Sequence, residues 1–174
     1  MRVTRLLLIT LLVGASPDVS SCNDAVPVEA SRPALSADLL GGPGRLLRLL
    51  ECSPLPAVTA TQTIGPAGGA LQVGPHSLTI PPGALSGPVT ITATAPTGTV
   101  NSIEFQPEGL TFAQHASLAM SYANCGAPGP PAARRIVFTD DALTILETLV
   151  SVDSRSTRTV VTQLRHFSHY AVAY

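Results

Sequence analysis

Pro81-Pro82-Gly83 separates two strand-like stretches, Leu78-Thr79-Ile80 before it and Val89 to Ala95 after it. Proline brings no N–H to a sheet ladder, so the first strand must end or lie at an edge there. Gly83 then allows a reversal that other residues would resist, and a positive φ is predicted for it. Beyond the corner, Val89, Ile91, Ala93 and Ala95 fall on one face and Thr90, Thr92 and Thr94 on the other. That is the period of a half-buried antiparallel strand with its threonine face near solvent.

The same grammar continues on both sides. Gln62-Thr63-Ile64 reads as a short strand turned by Gly65-Pro66-Ala67-Gly68-Gly69. A phosphate cradle would need a G-K-[ST] ending, and this chain has no lysine at all, so the loop is read as a turn. Ala70 to Val73 and Leu78 to Ile80 form a hairpin across Gly74-Pro75. Ile103 and Phe105, then Leu110 to Phe112, then Leu118, Met120 and Tyr122, supply further inward sets. Ile136 to Phe138 and Leu143 to Glu147 are strands, while Leu149 to Val152 and Val160 to Leu164 flank a polar turn. Leu164 and Phe167 are an odd interval apart, which requires a bulge or bend near Arg165-His166. With 14 glycines, 16 prolines and 4% aromatic residues, the expectation is an all-β fold, an antiparallel β-sandwich over residues 61–174.

The front of the chain has another character. Met1 to Arg5 is a short basic start, and Leu6 to Val13 is an apolar run too short to span a bilayer. Residues 1–22 therefore read as a secretory signal peptide. Val19-Ser20-Ser21-Cys22 resembles a bacterial lipobox, which makes Cys22 the lipidation site; its acyl chains would supply the more than one membrane signal that stable anchoring needs. Ser16-Pro17-Asp18 interrupts that pattern, so cleavage near Ala15 or Ser21 without a lipid is the alternative. Residues 23–60 read as a flexible tether. Within it Arg45 to Leu50 places leucines on one helical face and both arginines on another, which reads as a one- or two-turn amphipathic helix on a membrane or on the domain, or as a local segment covering an edge of the domain.

Three cysteines in an exported chain leave an odd thiol. Assigning Cys22 to lipid leaves Cys52 and Cys125 to pair, as an oxidising compartment allows. Neither sits in a metal-ligand spacing. A net charge of −1 without charge runs excludes a nucleic-acid footprint.

Three blocks together resemble the ZU-5 domain, a β-sandwich module of zonula occludens proteins, netrin receptors and ankyrins. They are Gly68-Gly69-Ala70-Leu71 with Leu78 to Leu85, then Glu104 to Phe112, then His166-Phe167-Ser168-His169-Tyr170-Ala171-Val172. The chain is similar in particular to short bacterial lipoproteins that share all three. The resemblance implies a protein-interaction or scaffolding role and brings no cofactor.

His166-Phe167-Ser168 carries the sharpest chemical option, because some ZU-5-type modules cleave themselves between Phe and Ser at such a tripeptide. Ser168 would attack the preceding carbonyl in an N-to-O acyl shift, with His166 or another His taking the hydroxyl proton. The structural alternative packs Phe167 and Tyr170 in the core. His166 and His169, with His76 and His115, do not suggest a metal site, since a spacing of three turns two rings to opposite faces of a strand. Glu104 with Glu108, and Asp140 with Asp141, read as solvated loop charges, and no GxSxG elbow exists. The expectation is a non-enzymatic, extracytoplasmic domain, held to a membrane through Cys22 and contacting an envelope protein or carbohydrate. The alternative is a domain that processes itself at Phe167-Ser168.

Overall fold

The computed structural model describes residues 47–126 and 132–174. Cys22, the expected signal peptide and the first part of the expected tether lie outside them. The described residues form eleven strands: β1 (Val58–Ile64), β2 (Gly69–Val73), β3 (His76–Ile80), β4 (Val89–Ala95), β5 (Ser102–Gln106), β6 (Thr111–Ser121), β7 (Arg135–Thr139), β8 (Ile145–Thr148), β9 (Ser151–Ser154), β10 (Thr159–His166) and β11 (His169–Ala173). They build two antiparallel sheets, a six-stranded one in the order β1-β4-β5-β11-β7-β8 and a five-stranded one in the order β2-β3-β6-β10-β9. Inward residues of both sheets close one core, among them Leu78, Ile91, Phe105, Leu118, Val160 and Tyr170. The fold is an all-β sandwich.

The Pro-Pro-Gly corner is held by the glycine-rich turn. The N–H of Gly83 donates to the Pro66 carbonyl at 2.8 Å, and that of Ala113 to the Ala84 carbonyl at 3.0 Å. Gly83 has φ +78° and Gly68 φ +75°, both in the left-handed region. The two differ in what surrounds them. A Cβ on Gly68 would overlap the Ile80 carbonyl oxygen and lie 2.8 Å from Pro81 C and Pro82 N, all backbone; one on Gly83 would meet only the mobile amide end of Gln114. Gly83→Ala should therefore cost about 1–2 kcal/mol, the usual penalty of that region for an L-residue. Gly68→Ala should cost clearly more, and paired urea titrations read the order.

β1 begins at Val58, and the described part of the 45–50 segment is extended rather than helical and covers an edge of the sheet. Leu50 donates to Val172 at 2.8 Å and Cys52 to Thr99 at 2.8 Å, while Leu49 bridges Ala173 and Glu51 bridges Val100. Residues 48–52 thus fill the place beside β11 where β5 has ended. The sheet supplies the backbone partners that a lone helix of this length could not supply for itself.

The bulge expected near Arg165 is present, as a register shift between Leu164 and His166. It does more than repair a face. The chain leaves the five-stranded sheet at His166 and enters the six-stranded sheet at His169, so Phe167 and Ser168 are the crossing.

Candidate functional site

Every residue of the His166-Phe167-Ser168 tripeptide is tied into the sandwich at this crossing. Phe167 is fully buried; its ring stacks on Phe105 at 4.8 Å and meets Phe112 edge-on at 5.0 Å. Its N–H donates to the Leu110 carbonyl at 2.8 Å, and its own carbonyl accepts the Gly109 N–H at 3.0 Å. His166 packs edge-on against Phe138, with Nδ1 3.3 Å from the Phe167 carbonyl oxygen. The Tyr170 hydroxyl donates to the His166 carbonyl at 2.7 Å. Burial, and then the charge of Glu147, push that phenol well above its ordinary range. Ser168 is buried, and its carbonyl accepts the Phe105 N–H at 3.2 Å. Among the described residues its hydroxyl has no hydrogen-bond partner.

The neighbouring residue makes a cluster the sequence did not announce. His169 lies opposite Glu104 and Thr139 in the sheet register. Its Nδ1 is 3.2 Å from an Asp141 carboxylate oxygen and its Nε2 3.6 Å from one of Glu104. These carboxylates come from two different pairs set aside as loop charges. With Pro96, Ser102, Ile103 and Leu143 they line an open pocket of about 340 Å³. Strand register is the signal that joins them, and no spacing along the chain reveals it. The imidazole divides its two nitrogens between two carboxylates, so the cluster offers no shared vertex to a cation. Among the described residues no group of three His, Cys, Asp or Glu is arranged to hold a metal. Asp140 instead caps its turn: the Thr144 N–H donates to its Oδ1 at 2.7 Å, and that bond leads in lowering the carboxyl pKa.

The remaining histidines go elsewhere. His115 is exposed and shares with His166, Glu147, Val150 and Arg165 a groove of about 490 Å³. Val150 is 95% exposed there, and Leu146 on β8 and Val152 on β9, near it in sequence, are also exposed. His76 is buried at the start of β3, where Nδ1 accepts the Ser121 N–H at 3.2 Å. Burial lowers its pKa from 6.5 to about 4. The unfolded ring takes up a proton below pH 6.5 that the folded ring refuses until about pH 4. Stability from this group is complete above that window and is lost as pH falls through it. At about 1.4 kcal/mol per unit, the loss should reach about 3 kcal/mol. Urea midpoints at neutral and acid pH should show it, and His76→Gln should flatten the dependence.

Cys52 and Cys125 are joined by a disulfide, both buried. Asn101 and Asn124 exchange side-chain bonds at 2.8 and 3.0 Å beside it. Arg158 donates to the Cys125 carbonyl while its guanidinium lies over the Tyr122 ring.

Compared with protein-family models and with curated proteins, the chain finds no match.

Proposed function

We propose that this chain is an exported, non-enzymatic β-sandwich domain of ZU-5 type, anchored to a membrane through a lipid on Cys22 and acting by contact with an envelope protein or carbohydrate. The Cys52–Cys125 disulfide carries the reading. Such bonds persist in oxidising compartments, and pairing these two leaves Cys22 as the remaining cysteine of the three. The ZU-5 reading draws support from contacts within and between its blocks. Gly68 sits on the Ile80-Pro81-Pro82 backbone inside the first, and the Phe167 ring of the third packs on Phe105 and Phe112 of the second. Contact as the mode of action suits the apolar residues bared around Val150.

One observation favours self-processing as a second reading. The Phe167 carbonyl accepts the Gly109 N–H and lies against His166 Nδ1. Both would withdraw charge from it if that nitrogen carried a proton. Ser168 Oγ would bond to the Phe167 carbonyl carbon as the C–N bond breaks. The hydroxyl proton would pass to the freed amine, and water would then hydrolyse the ester.

Intact mass of the protein recovered from its native host separates the readings. The first expects one chain beginning at an acylated Cys22 and running unbroken through Ser168, and inhibition of lipoprotein signal peptidase should leave the uncleaved precursor. Two fragments parted at Phe167-Ser168 would replace the first reading by the second. An unmodified Cys22 would remove the anchor.

A further inference from the structure

We propose that two copies of this chain join edge to edge through β1, which makes the six-stranded sheet continuous across a two-fold axis at Thr61. Among the described residues β1 is an edge strand that pairs only with β4. The strand itself carries none of the sequence devices that keep such edges apart. Over its seven residues, Val58-Thr59-Ala60-Thr61-Gln62-Thr63-Ile64, it carries no charge, no proline and no bulge. The other edges are shorter: β2 has five residues, and the four-residue β8 and β9 carry Glu147 and Asp153.

The sequence of β1 is complementary to itself when reversed. Antiparallel pairing about Thr61 sets Val58 opposite Ile64 of the second copy, Thr59 opposite Thr63, Ala60 opposite Gln62, and Thr61 opposite Thr61. A two-fold interface must match one patch to itself in this way. Pro56 and Pro66 fall opposite each other just beyond the ends and stop the ladder there.

The threonines make the match more than a pattern of letters. On the outer face, Thr59, Thr61 and Thr63 already bond hydroxyl to hydroxyl with Thr94, Thr92 and Thr90 of β4, at 3.2, 3.0 and 2.9 Å. Thr–Thr pairs across strands are favourable. Joining β1 to its copy repeats the same pairing one strand further and doubles the threonine array. Every exposed outer side chain of β1 finds across the axis the partner type it has on β4.

The register gives the test. The full chain carrying Cys22→Ser should sediment as a dimer, and Thr61→Lys should return it to monomer while circular dichroism stays unchanged. Gln62→Lys repeats the test by placing charge elsewhere on the edge. Adding Thr61→Cys should yield a disulfide-linked dimer on oxidation. Thr63→Cys should not, because the two substituted positions then stand about 13 Å apart along the strands. A monomer at every concentration overturns the proposal. So does a dimer that survives both lysines, and equal cross-linking at positions 61 and 63 overturns the register.

Discussion

Phe167→Ala is expected to remove a large share of the stability of this domain. The side chain is fully buried and touches two other rings, Phe105 and Phe112. Phe-to-Ala changes at such sites cost about 3–5 kcal/mol, against a typical total of about 5–15 kcal/mol. The site cannot collapse easily, because the backbone on both sides is committed: Phe167 N–H to Leu110, Phe167 O to Gly109, Ser168 O to Phe105. Urea unfolding should show the loss, together with weakened near-ultraviolet dichroism from the aromatic stack. Ser168→Ala removes a hydroxyl that has no partner among the described residues and should leave the midpoint nearly in place. Equal, large effects of both substitutions would mean that the crossing matters through its backbone and not through the ring.

Removing the disulfide is the second large effect. Cys52 and Cys125 are 73 residues apart, and closing a loop of that size is worth about 4 kcal/mol in the chain-entropy treatment. Cys52→Ser with Cys125→Ser should lower the denaturant midpoint by the corresponding amount, and reductant should do the same to the unsubstituted protein. The folded ends need not move far. The Ser53 N–H still reaches the Asn124 carbonyl at 2.9 Å, and Asn124 Nδ2 reaches the Ser53 carbonyl at 2.6 Å. Native-like spectra with reduced stability are the expected combination. A midpoint indifferent to reductant would contradict the chain-entropy account.

The parts of the fold legible in the sequence were those with local causes. Alternation marks β4, Gly74-Pro75 marks the β2–β3 hairpin, and the polar run after Val152 marks the β9–β10 turn, all as found. The inward sets at Leu110 to Phe112 and at Leu118 to Tyr122 suggest two pieces where β6 is one; Ala113-Gln114-His115 between them is exposed, yet the backbone runs on unbroken. The sequence marks only Gln62 to Ile64 of the seven residues of β1, since Thr and Ala alternate without the large side chains that announce a face. The leucines at 46, 47, 49 and 50 fit a helix or an edge equally well, and only the vacancy beside β11 decides between them. The His169 cluster was the least legible. It joins residues from β5, from the turn after β7 and from β11, and such a meeting depends on which strands become neighbours.

The placement of β11 bears on when this protein can fold. Residues 169–173 come after the other ten described strands in sequence, yet they lie inside the six-stranded sheet, with β5 on one side and β7 on the other. Without them that sheet is two separate parts, β1-β4-β5 and β7-β8. It becomes continuous only when the whole stretch from residue 58 to residue 173 is available. Long-range pairing of this kind is also intrinsically slow to form. Under the export proposed above, both properties suit a domain that must remain threadable until it has crossed a membrane. They also predict that loss of residues 169–173 would be felt by the whole domain.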